Sequence, residues 1–193
     1  MKEIKNIYVI KITLRDSEPE IWRRVEVPYD FTFRGLHQVI QLVMPWSESH
    51  LHSFAVKAKH GAETLISTPY PEDDWESEDE NKVLLHQYLP DAKHVIYEYD
   101  FGDSWEHEIK LEKIIESEDK VSYPRCTGGE MACPPEDCGG LYGYYGMLET
   151  VNGPDCEEKK EVLDWLGKRF DPKKFDSQKI KFPKALLCTY AKK

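Results

Sequence analysis

Apolar and polar residues alternate along IYVIKITL, residues 7–14, and again along IWRRVEV, residues 21–27, with the turn-rich RDSEPE between them. That period of two predicts an opening antiparallel hairpin, which Pro28 ends. The period then lengthens. Leu36, Val39, Ile40 and Val43 follow the i, i+3, i+4, i+7 spacing of one buried helix face, Thr32 is placed to cap that helix, and it should stop near Pro45. His37 and Gln41, four apart, should share a face opposite or flanking that stripe. Alternation returns in HLHSFAVKA, residues 50–58, setting His50, His52 and Phe54 on one face, with ETLIS as a short return strand. VLLHQYL, residues 83–89, reads as a short helix.

The strongest alternation lies in YEYDFGDSWEHEIKLE, residues 97–112, interrupted by Gly102 and Asp103. A two-residue Gly-Asp loop would set Glu98 across from His107 and Asp100 across from Trp105, with directly opposed Cβ atoms about 5 Å apart. A carboxylate there would raise the imidazole pKa and orient its tautomer, as a general base or a metal ligand requires. His107, Glu98, Asp100 and Asp103 are therefore the candidate catalytic groups. Trp105, His37, His52 and Asp137 are the candidate pocket residues. In a purely structural alternative, Glu98 and His107 form a cross-strand pair and the aspartates cap the turn. A longer loop would shift the register and separate Glu98 from His107.

Between Tyr123 and Gly140 the chain is too rich in Cys, Pro and Gly for regular structure. Cys126 precedes Cys133 by seven positions and Cys133 precedes Cys138 by five, wider than the two-to-four spacing usual for structural zinc. If the three thiols do bind a metal, zinc is the one expected, with His52 or His107 completing the shell. Otherwise they are buried thiols on a path fixed by Pro134, Pro135, Gly139 and Gly140. Two helices should close the fold: LYGYYGMLETV, and DCEEKKEVLDWLGKRF with Asp155 and Glu158 as a capping box and Val162, Trp165 and Leu166 as a buried stripe.

These elements add up to an α+β fold, antiparallel hairpins in a sheet packed against several helices, and 193 residues suit one compact domain over residues 1–193. Seven acidic residues, Glu72, Asp73, Asp74, Glu76, Glu78, Asp79 and Glu80, carry most of the net charge of -10. They fall in TPYPEDDWESEDEN, residues 68–81, expected to be a mobile surface loop whose Trp75 would meet a protein partner. The rest is nearly balanced and has no dense cluster of cations, which disfavours nucleic acid as the main ligand. No apolar run approaches the length of a membrane span, and the five cysteines suit thiols in a reducing cytoplasm rather than a disulfide framework.

Four ordered stretches resemble one family: IWRRVEVP with TFRGLHQVIQLVMPWSESHLHSF, then YEYDFGDSWEHEIKLE, then ACPPEDCGGLYGY, then WLGKRFDPKKFD. They are similar to plasmid pRiA4b ORF-3-like proteins, and the resemblance covers nearly the whole chain. It implies an α+β domain of plasmid-borne, chromosomal and insertion-element passenger genes, sometimes labelled resolvase-like, with no mechanism to carry over. Serine recombination would need an activated serine among arginines and a DNA-binding surface, and the acidic balance argues against both. The expected function is a soluble binding domain, its pocket lined by the 97–112 hairpin and the 126–140 loop. The alternative is a metal-dependent hydrolase or nuclease-like enzyme.

Overall fold

The computed structural model of the chain describes residues 5–58, 61–69, 76–167 and 170–190. The opening hairpin is present as β1 (Asn6–Leu14) and β2 (Ile21–Pro28), paired from Ile7 with Pro28 to Leu14 with Ile21. Helix α1 (Phe33–Val43) follows, and the Thr32 side chain accepts the Gly35 amide as its N-cap. Its apolar stripe is fully buried, and Phe33 packs edge-on against Phe54 with ring centroids 5.1 Å apart.

Strands β3 (His52–Ala58), β4 (Glu63–Ser67), β5 (Glu78–Asp79), β6 (Ala92–Tyr99) and β7 (Trp105–Glu116) come next. Then come β8 (Ser122–Tyr123), β9 (Arg125–Glu130), helices α2 (Gly140–Asn152) and α3 (Glu157–Leu166), and β10 (Cys188–Thr189). Eight strands form one sheet in the order β5-β4-β3-β6-β7-β1-β2-β9, while β8 and β10 pair separately. All neighbours in the large sheet are antiparallel except β4 and β5, which are parallel. The expected architecture therefore holds, with the sheet mixed rather than wholly antiparallel. One face buries Ile10, Ile12, Leu14, Val25, Phe54, Tyr97 and Tyr99 in the same core as α1. The other carries polar cross-strand pairs such as Arg24 with Glu112 at 2.6 Å, the division expected of a sheet solvated on one side.

Four expectations are corrected. The 123–140 stretch is not irregular throughout: Arg125–Glu130 form β9 on the edge of the sheet beside β2, where Gly128 and Gly129 are accommodated because Trp22 and Phe175 fill the space their side chains would take. The 68–81 stretch is not wholly a loose loop: Glu78 and Asp79 form the sheet's parallel edge, and Glu80 is fully buried with its amide on the Ser67 carbonyl at 3.0 Å. Trp75 lies outside the described residues. Helix α3 starts one residue later than the proposed capping box, with the Cys156 sulfur accepting the Lys159 amide. Its stripe is also not buried, since Trp165 is 49% exposed and none of its residues reaches the core. Finally, VLLHQYL makes 3-10 turns at Leu85–Gln87 and Leu89–Asp91 rather than a helix.

Candidate functional site

The 97–112 hairpin turns through Asp100 to Ser104, not through two residues, so Tyr97 pairs with His107, Glu98 with Glu106 and Tyr99 with Trp105. That is a one-residue slip from the Gly-Asp register, and with a side-chain period of two it exchanges the faces. Tyr97, Tyr99, Trp105 and His107 all point into the core, and Glu98 lies on the polar face, accepting the Ser104 hydroxyl at 2.9 Å. Glu98 and His107 therefore do not meet. Asp100 and Ser104 hold left-handed φ of 56° and 53°, and the Ser104 amide bonds the Asp100 carbonyl at 2.6 Å.

His107 is sealed off from solvent. Its Nδ1 lies 3.0 Å from the Trp105 carbonyl, so it carries the proton and donates it there, while among the described residues neither Nε2 nor Trp105 Nε1 has a partner. Burial pulls the His107 pKa down to about 4, which leaves a neutral imidazole out of reach of any substrate.

His37 and His52 are brought together, but inside the protein. Their rings stack with centroids 3.5 Å apart, and His37 Nδ1 sits 2.8 Å from the Tyr97 hydroxyl, which Gln41 also reaches at 3.0 Å. His52 Nε2 lies 2.7 Å from the buried Glu80 carboxylate, whose other oxygen accepts the Thr68 hydroxyl. For Glu80, burial pushes the pKa up most, but hydrogen bonds from His52 and Thr68 and the charges of His52 and Arg34 outweigh it and hold it low. His37 and Gln41 thus lie within the core rather than beside the helix's buried stripe.

The hairpin tip and the cysteine loop do converge. The Gly139 amide donates to Asp103 Oδ2 at 3.2 Å, and a Cβ on Gly140, whose φ is +66°, would lie 2.6 Å from the Asp103 carbonyl. Glycine is needed at that contact for both reasons. The segment after α1 joins from the third side. Trp46 Nε1 donates to the Pro134 carbonyl at 3.0 Å and its ring stacks on Tyr99, while Ser47 and Tyr99 both donate to the Glu136 carboxylate. Three of the four recognised sequence stretches meet at this end of the sheet.

At that junction His50 lies between two carboxylates, Nδ1 at 3.6 Å from Asp100 and Nε2 at 3.2 Å from Asp137. One ligand atom from each residue falls within 4.8 Å of the others, the one such group of metal-ligating residues among those described. His50 and Asp100 are partly shielded, and the Asp137 side chain is 72% exposed. The cysteines form no such group. Burial raises the pKa of Cys126 and Cys133, and raises that of Cys138 to about 12, helped by the nearby Asp103 and Asp137 charges. Buried, protonated thiols are poor nucleophiles.

On its other side the cysteine loop walls a cavity of about 410 Å³ whose remaining walls sequence reading missed. Ala132, Cys133, Pro134 and Pro135 face the end of α1 and the segment from Phe170 to Ile180, and Arg23 of β2 contributes to the lining. No residue of the 97–112 hairpin lines it. Arg23 sits on the core face of β2, 1% exposed, where strand alternation would put an apolar residue. Its Nε donates to the Val43 carbonyl at 2.9 Å and Nη1 to the Trp22 and Glu130 carbonyls at 2.8 Å each. Phe175 covers the guanidinium with its centroid 3.9 Å away. That ring packs onto bare backbone at Gly129, where a Cβ would come within 2.5 Å of it. The signal available in the sequence was an arginine in phase with Ile21 and Val25, opposite a Gly-Gly pair.

Residues 6–179 match the family of Plasmid pRiA4b ORF-3-like proteins. The uncharacterized protein y4hQ of Sinorhizobium fredii (strain NBRC 101917 / NGR234) is 34% identical over 168 residues, covering 85% of this chain and 82% of its own. The crystal structure of MM3350 from Methanosarcina mazei Go1, titled a protein of unknown function, superposes with a TM-score of 0.85 at 39% identity, covering 92% of this chain and 99% of that one.

Proposed function

Because the chain belongs to the plasmid pRiA4b ORF-3-like family, and the names of its relatives state no activity, we propose from geometry alone that it is a ligand-binding domain. Its pocket is the cavity between the cysteine loop and the Phe170–Ile180 segment. The observation that carries this reading is the cavity itself: about 410 Å³, in the range of small-molecule sites, with mainly apolar walls and a buried arginine among its lining residues. The expected pocket is thus kept on its cysteine-loop side and moved off the hairpin. Titrating the full chain with 3-phenylpropionate and its neutral amide, read by backbone NMR shifts, tests it. Shifts should centre on residues 132–135 and 170–180 and disappear in Ile180→Trp, which fills the cavity. If neither compound shifts those residues, the pocket reading fails.

A second reading is favoured by one observation, the His50, Asp100 and Asp137 group at the junction of three loops. One imidazole and two carboxylates suit a divalent cation, and such a site would supply the metal of a hydrolytic enzyme without calling on His107 or the cysteines. Elemental analysis of purified protein decides it. Stoichiometric metal that is lost in His50→Ala supports this reading, and metal-free protein that also fails to take up zinc or manganese removes it.

A further inference from the structure

Resting on the reading of the cavity as a ligand pocket, we infer that the ligand is a monoanionic carboxylate with an apolar body, its carboxylate seated on Nη2 of Arg23. The starting point is a count of donors. A guanidinium has five N–H groups. The bond to Val43 takes the one on Nε, and the bonds to Trp22 and Glu130 take both on Nη1. Among the described residues Nη2 makes no hydrogen bond. It is also not one of the sealed, unpaired side-chain nitrogens, which are those of Trp105 and His107. Nη2 therefore keeps an open edge, and the open space that Arg23 lines is this cavity.

A purely structural role accounts for only part of this arrangement. Tying β2 to the end of α1 and to β9 uses two nitrogens bonded to carbonyls, and neutral donors would do that as well. Phe175 stacks on the guanidinium but brings no counter-charge, so the net charge and the third nitrogen remain unexplained. Among the described residues no carboxylate comes within 4.0 Å of the guanidinium, although a buried cation without a counter-charge is costly. Burial accordingly lowers its proton affinity, and an anion in the cavity would offset that cost.

The surroundings choose among anions. Besides Arg23, the charged lining groups are Lys174, Lys179, Asp171 and Asp176, for a net single positive charge. Asp176 approaches Lys179 at 4.0 Å and caps the Gln178 amide, while Asp171 accepts the Lys173 amide. That leaves Arg23 and Lys174 without ion-pair partners among the described residues. One negative charge balances the site, whereas a dianionic phosphate would leave an excess and would find too few donors. Pro134 and Pro135 have no N–H to offer, and the Pro134 carbonyl is taken by Trp46. Phe170, Ile180 and the two proline rings form the surface for the apolar body.

The test compares 3-phenylpropionate, 3-phenylpropanamide and 2-phenylethylphosphonate on the full chain, with affinities taken from backbone NMR shifts. The carboxylate should bind about tenfold or more tighter than the amide, the size of one charge-assisted hydrogen bond. Lys174→Glu, a change at an exposed position that leaves the core intact, should abolish that preference. Arg23→Lys should reduce it if the variant folds. An amide that binds as tightly as the carboxylate overturns the inference and leaves the pocket standing. A phosphonate that binds more tightly overturns the monoanion. No shifts at the cavity walls with any of the three removes the pocket and the inference together.

Discussion

Acidifying the protein from pH 7.5 to 5 should cost it about 4 kcal/mol of stability through two buried histidines, given an unfolded histidine pKa of about 6.5. His107 has its pKa pulled down to about 4 by burial, and His37 to about 2 by burial and then by the nearby His52 and Arg34 charges. Both folded values lie below the unfolded one, so the unfolded chain takes up protons first. The stability these groups contribute is complete above the unfolded pKa and is lost as pH falls towards the folded values. At pH 5 the loss is about 2 kcal/mol per histidine and still growing for both, towards a limit of about 3.4 kcal/mol for His107 and a larger one for His37. Stopping at pH 5 keeps the carboxylates, which titrate near pH 4, largely out of the comparison. The assay is urea unfolding at both pH values and constant ionic strength, for the wild type and for His107→Leu. The variant loses the Nδ1 bond to the Trp105 carbonyl, which shifts its stability at both pH values equally. Its loss between the two should be about 2 kcal/mol smaller than that of the wild type. An equal loss in both proteins would mean that His107 is not the sealed neutral imidazole described above.

Gly140→Ala should destabilise the protein by about 2 kcal/mol or more, since it combines a left-handed φ with a Cβ 2.6 Å from the Asp103 carbonyl, and NMR shift changes should centre on the hairpin tip. Glu80→Gln should cost about 3 kcal/mol in urea unfolding, because it leaves His52 and Arg34 facing a neutral amide in a buried site, and a cost under about 0.5 kcal/mol would show that the carboxylate carries no charge there.

Local signals were legible and long-range ones were not. The Thr32 cap and the stripe from Leu36 to Val43 follow from spacing within one turn or two, and both are found as read. The hairpin register was misread because Gly-Asp is a sound two-residue loop taken alone. The deciding signal was the burial pattern. The two-residue register would have put Glu98 and Asp100 on the face with Trp105 and His107, whereas the slip of one gathers Tyr97, Tyr99, Trp105 and His107 in the core. Aromatic area outweighs a turn preference. The buried groups that hold them, Tyr97 for His37 and Gln41 and Glu80 for His52, lie 28 to 60 residues away in sequence, so neither periodicity nor capping could indicate that they are interior.

The slip also divides the unusual motifs by what packing explains. Gly139, Gly140 and Asp103 are accounted for by the docking of the cysteine loop on the hairpin tip, and Trp46, Ser47, Tyr99 and Glu136 by the bonds that close the same junction. Residues whose chemistry is fully used inside the fold need no ligand to justify them. His107 is of that kind apart from Nε2, because a sealed nitrogen with no path to solvent cannot meet a substrate. Arg23 is not. Among the described residues its charge has no counter-ion and its third nitrogen no bond, and it lines an open cavity, so the fold bears the cost of a buried cation that its three carbonyl contacts do not require. The residue with the strongest claim to function therefore lies on β2, at the one core-facing position of that strand that lacks the apolar side chain alternation would call for.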